Sequence, residues 1–198
     1  MPEPPPGEDD LGALARRFED VERRVRALIA RAPEGDRRKL LTEALNLLVA
    51  LRREDFRGPV ISAYLAFKRG GDAGAVADLA GSLAKKLDRA AQTASANARE
   101  AFTKVTQDNV EELANAGVVA HEDDRGTRWA LASYAALQTA TLGRAASSRG
   151  VRDSKPKTVT IEVSGCPYCQ EFEGTYAIAE VPGWPPFHPS CTCVASAA

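Results

Sequence analysis

The sequence predicts an α+β protein, predominantly α, with an N-terminal helical bundle followed by a small α/β module. Three observations lead there. Aromatic residues make up only 6% of 198 residues and alanine is abundant, which favours closely packed helices over a β-sandwich. Apolar residues recur at spacings of three and four through the first hundred positions. All four cysteines fall in the last 33 residues, where the pattern turns β-like. With 44% hydrophobic and 27% charged residues the chain can form a core, and its length suits one domain or a domain with a small annex.

Residues 1–10, rich in proline and carrying four acids and no base, are expected to be a disordered tail. Asp9 and Asp10 stand where a helix N-cap belongs. Leu11, Leu14, Phe18, Val21, Val25 and Leu28 then form a heptad-like stripe, broken at Pro33 and Gly35. A second helix is expected over 36–53, with Leu41, Ala44, Leu48 and Leu51 on one face, making an antiparallel hairpin with the first. A short apolar helix follows over 60–68, ended by Gly70 and Gly71. A long Ala-rich helix over 72–105 buries Val76, Leu79, Leu83, Leu87, Ala94, Ala98, Phe102 and Val105. Asp108 with Glu111 resembles a capping box for one more short helix ending at Gly117. The bundle thus spans 11–116, and the second region 117–198.

That second region opens with a strand near Val118 to His121 and a turn at Asp124 and Gly126. Trp129 is expected to pack this hairpin onto a helix running from Leu131 to Arg149, with Tyr134 on its buried face and Gly150 as its stop. A polar link over 151–157 leads to alternating strands at 158–163 and 175–181.

The charges nearly balance, at 26 Lys plus Arg against 27 Asp plus Glu, which excludes a uniformly basic nucleic-acid binder. They are unevenly placed: residues 11–105 hold nineteen bases against twelve acids. Such a stretch suits phosphate or an acidic protein surface as well as ordinary wet helix faces. No apolar run reaches the roughly 18 residues a membrane span requires, and the N-terminus lacks the parts of a signal peptide.

Cysteine spacing is the strongest chemical signal. Cys166 and Cys169 form a C-x2-C turn, and His188 and Cys191 an H-x2-C, with 18 residues between Cys169 and His188. Two such pairs can complete the closed tetrahedron of a structural zinc site. Cys193 is a fifth candidate, able to replace His188 or Cys191. Two disulfides, or thiols in another role, are the alternatives. A zinc deaminase needs H-x-E and then P-C-x2-C. Here His121 and Glu122 are adjacent and Gly165 precedes Cys166, so the motif is not met. A nucleophilic pair of Cys166 or Cys169 with His188 is formally available, but four clustered cysteines suit a metal better. No phosphate-binding glycine loop is present, and no acid–base set is matched, so no catalytic residue is assigned and no small-molecule substrate is expected.

Residues 117–195 resemble the Mu-type minor head proteins of tailed phages, in the branch of minor capsid protein 2. A hairpin with Asp124 and Gly126 at its turn leads into Trp129, Leu131 and Tyr134. Cys166, Cys169, Gly174, His188, Pro189, Cys191 and Cys193 then follow in the family's order. One departure is Ala140 before Thr141, where the family usually carries an arginine. The resemblance implies a structural protein of the phage head, present in the virion and in the host cytoplasm during assembly. Its partners would be the portal and other capsid proteins, with a possible contact to packaged DNA, and it would not be an enzyme. Some relatives append an enzyme or toxin domain after the module; this sequence ends three residues after Ala195. The alternative expectation is a zinc-stabilised nucleic-acid-binding protein using the basic helices.

Overall fold

The computed structural model describes residues 8–68, 71–188 and 191–197. Its order is α1 (Glu8–Ala30), α2 (Arg37–Leu51), α3 (Gly58–Leu65), a 3-10 turn (Ala73–Val76), α4 (Ala77–Lys104), α5 (Val110–Ala116), β1 (Val119–Glu122), β2 (Arg128–Ala130), α6 (Leu131–Asp153), β3 (Thr158–Glu162), β4 (Gly174–Ala177) and β5 (Val194–Ala197). The protein is α+β and predominantly α, with one antiparallel hairpin, β1–β2, and one antiparallel sheet in the order β4–β3–β5.

The chain forms two compact units that interleave along the sequence. One comprises residues 13–55 and 85–136, the other 1–12, 56–84 and 137–198. Residues 11–116 therefore contribute to both.

In the first of these units Phe18, Val25, Ile29, Leu48, Leu87 and Leu131 are fully enclosed. Asp36 caps α2 by accepting from the Lys39 N–H, and Arg37 donates to the Val105 carbonyl at 2.7 Å. The α1 stripe differs from the heptad reading. Val21 is half-buried, while Glu22 is buried and Ile29 joins the core. A straight helix turns every 3.6 residues, so a 3.5-residue repeat drifts off the buried face within a few turns. Glu22 is tolerated inside because its carboxylate accepts the Ala132 N–H at 2.6 Å, at the start of α6, and pairs with Arg26 at 2.8 Å.

Three other expectations are corrected. Glu8, Asp9 and Asp10 lie in α1, so neither aspartate precedes the helix as a cap; residues 1–7 of the expected tail lie outside those described. The N-cap of α5 is Asn109 rather than Asp108; the Asn109 side chain accepts from the Thr106 N–H and donates to the Lys104 carbonyl. Gly150 does not end α6, which continues to Asp153.

Gly150 has a packing role in the second unit. A Cβ there would lie 2.6 Å from the Tyr64 carbonyl oxygen and 3.0 Å from Phe67 Cβ. Gly150→Ala is expected to destabilise the protein by roughly 1–3 kcal/mol, because the nearest obstacle is backbone and cannot rotate away. A thermal melt checks this, and an unchanged midpoint would show that α3 shifts freely. Val151, in the last turn of α6, joins Val159, Ile161 and Ala195 in a small core covered by Phe172, Trp184 and Phe187, among others.

Candidate metal centre

The sheet register delivers the cysteines to one place. β3 is central, with Ile161 opposite Gly174 of β4 and Ala195 of β5, and Glu162 opposite Val194. The segment after β3 and the segment before β5 therefore emerge at the same end. Ser164 Oγ donates to the Thr192 carbonyl, and Thr192 Oγ1 to the Ser164 carbonyl, both at 3.3 Å. This reciprocal pair extends the strand register by two residues and holds the C-x2-C loop against the C-x-C segment.

Each donor pair sits on a tight turn. The Cys169 N–H bonds the Cys166 carbonyl and the Cys191 N–H bonds the His188 carbonyl, both at 3.1 Å. These turns bring residues three apart onto one side. Cys191 and Cys193 share a side for a different reason. Along 191–195 burial alternates, with Cys191, Cys193 and Ala195 inside and Thr192 and Val194 outside, as an extended chain requires.

His188 Nε2 stands 3.1 Å from Cys166 Sγ and 3.2 Å from Cys169 Sγ, and the Cys169 and Cys191 sulfurs are 3.9 Å apart. A tetrahedral zinc with Zn–S near 2.3 Å and Zn–N near 2.0 Å would have edges of about 3.8 Å between sulfurs and about 3.6 Å from sulfur to nitrogen. Two donor groups meet that scale, Cys166–Cys169–His188 and Cys169–Cys191–Cys193, within each of which the ligand atoms lie within 4.8 Å of one another. Cys169 belongs to both. The cluster can hold a metal ion, and the geometry admits Cys193 on the same footing as Cys191. All four cysteines are unpaired thiols, and 3.9 Å is far beyond a disulfide bond of about 2.05 Å.

Cys169, Cys191 and Cys193 are fully buried, with Val163, Phe172 and Phe187 packed around them. Burial, followed by contact with the Cys166, Cys193 and Cys191 thiols, pushes the Cys169 thiol far above its ordinary range. Burial also opposes ionisation of Cys166, but the His188 bond and the Cys169 contact together carry it below its ordinary value. Closely set buried thiols cannot all ionise without a cation between them. Arg144 of α6 donates to the Cys191 carbonyl at 2.6 Å, fixing the backbone behind that sulfur. Neither Arg144 nor the Ser164–Thr192 pair was legible beforehand, since no local pattern marks a residue that meets a site 47 positions away.

Among the residues of the hairpin motif, Leu131 and Tyr134 are buried, and Trp129 is half-buried with its Nε1 donating to Asp123 Oδ2 at 3.4 Å. The aromatic contact between hairpin and helix is His121 on Tyr134, ring centroids 4.6 Å apart. Gly126 adopts a φ of +77° at the turn, a conformation that favours glycine. The turn is organised by Asp123, whose carboxylate accepts the Thr127 and Arg125 N–H groups at 2.9 and 3.0 Å; Asp124 is exposed. Pro189 lies outside the described residues.

The Thr127 N–H, helped by Trp129 and Arg125, holds the Asp123 carboxyl below its ordinary value despite its partial burial. A carboxylate depressed on folding stabilises above its unfolded pKa and loses that contribution as pH falls through the folded value. Asp123→Ala is therefore expected to melt below wild type at neutral pH, with the gap closing below about pH 4. Effects of acid on the rest of the molecule are common to both chains and cancel in the comparison. A gap that persists undiminished in acid would mean the carboxylate charge is not what stabilises the turn.

The chain is thus an α+β protein with a buried Cys/His cluster able to hold a metal ion. Compared with protein-family models, curated proteins and solved structures, it matches none.

Proposed function

We propose that this is a structural head protein of a tailed phage or prophage, a minor capsid component acting at the portal vertex, with one structural zinc ion pinning its C-terminal sheet. Cys166, Cys169 and His188 with Cys191 or Cys193 are the ligands. One observation carries the reading: the hairpin motif leading into Trp129, Leu131 and Tyr134 is followed, in one order, by the paired cysteine and histidine turns. The geometry of the cluster supports a structural metal. Two triads of protein donors share Cys169, so a fourth ligand for either can come from within the cluster, as a closed structural site requires. The protein assembles with portal and capsid proteins and does not catalyse.

Binding to nucleic acid through residues 11–105 is less favoured. Arg17, Arg23, Arg24, Arg26, Arg52 and Lys104 of that stretch are each engaged by a carboxylate. Sedimentation with procapsids decides between the two. A head protein co-sediments with empty shells or purified portal, and deleting residues 158–198 leaves shells but abolishes infectious particles. Absence from virions and procapsids alike, with DNA affinity that falls steeply with salt, would favour the nucleic-acid reading.

A further inference from the structure

We propose that the tip of the C-x2-C turn of one copy docks into a groove between α1 and α2 of a second copy of this chain. Tyr168 lies at that tip and is 81% exposed. Its ring meets His188 edge-on, with centroids 6.2 Å apart, above the turn closed by the Cys169 N–H. An aromatic held out from a short, closed turn loses little freedom on binding, which suits it as an anchor. Glu171 and Glu173, both exposed, follow it directly. Residues 158–198 as a whole carry four acids and neither lysine nor arginine.

The groove has the complementary character. It is a concavity of about 440 Å³ with Ala13, Val21, Leu47 and Leu51 among its lining residues. Val21 is the member of the α1 stripe that the core does not enclose, and here it contributes apolar surface that water still reaches. Arg16, Arg17 and Arg24 line the same concavity. Two of these arginines pair with the acids beside them, Arg17 with Glu54 and Arg24 with Asp20 at 3.8 Å, which leaves Arg16 without an ion pair among the described residues. Arg16 is exposed to meet Glu171 or Glu173, and the apolar lining accepts the tyrosine ring. A second copy is favoured as the occupant because both halves of the contact are on this chain and opposite in charge. Residues 11–105 have a net charge of +7, and residues 158–198 one of −4. Such a contact is heterologous, so it closes into a ring or continues as a filament. It does not depend on the head-protein reading, which can fail while this contact stands.

Sedimentation velocity on the full chain, purified with zinc, tests it across a concentration series. Wild type is expected to self-associate, and less so at high salt. Tyr168→Ala, and separately Arg16→Glu with Arg24→Glu, should each weaken association by about tenfold or more, with circular dichroism confirming that both variants fold. Mixed together, the two variants should form a one-to-one dimer that neither forms alone, since one intact tip and one intact groove remain. Wild type that stays monomeric throughout, variants that associate like wild type, or a mixture that yields no heterodimer would each overturn the proposal.

Discussion

Cys169→Ser is expected to abolish metal retention and to melt the β4–β3–β5 sheet. Cys169 is the donor shared by both ligand groups, so its loss breaks both close triads at once. The core beside it is small, with Val151, Val159, Ile161 and Ala195 buried in its centre among the described residues. A structural zinc contributes on the order of 10 kcal/mol to folding, more than such a core supplies. Metal analysis of protein purified without added zinc gives about one ion per chain for wild type and none for the variant. In NMR spectra the amides of residues 158–162 and 194–197 should collapse toward unfolded positions. Cys193→Ser and Cys191→Ser provide the finer comparison, since only the ligating one lowers metal affinity strongly. A Cys169→Ser protein that keeps its sheet, or wild type free of metal with all four thiols reactive in the folded state, would refute the structural-zinc assignment.

Glu22→Ala is expected to cost roughly 2–3 kcal/mol. The carboxylate is 7% exposed and serves two partners, the Ala132 N–H at the start of α6 and the Arg26 guanidinium. Alanine leaves the first without its acceptor and the second without its counter-charge. Arg26 keeps about 40% of its side chain in water, which holds the penalty below that of a fully buried broken pair. Arg26 Nε is already buried without a hydrogen-bond partner among the described residues, so it has no spare bond to compensate. Glu22→Gln retains an acceptor for Ala132 and should cost markedly less. Urea denaturation of the three chains measures the series, and equal stability for Ala and Gln would show that the cap contributes nothing.

Much of the helical architecture was legible locally. The helices α2 and α4 and the strand at 158–162 follow from spacing, although Leu40 rather than Leu41 is the buried member of α2. Of the strand expected over 175–181, only the first part pairs, as β4 over 174–177, and 178–180 is a 3-10 turn. Errors arose where a distant partner outweighed the local signal. Val21 reads as a member of the buried stripe, but the buried face turns toward Glu22, whose carboxylate meets the Ala132 N–H 110 positions away. Gly150 reads as a helix stop until the Tyr64 backbone is found against it. β5 was missed because Val194 to Ala197 is short and weakly patterned, and it becomes a strand only by pairing with β3.

The candidate site divides in the same way. Which side chains can bind a metal is readable from spacing alone, because C-x2-C, H-x2-C and C-x-C each place two donors on one side through turn or strand geometry. That these pairs converge depends on tertiary pairing, since β3 takes its register from β4, 13 to 19 positions away, and from β5, 32 to 38 positions away. The same pairing also decided that Cys193 lies inside with Cys191, because the strand that Ala195 anchors in the core carries every second residue inward with it.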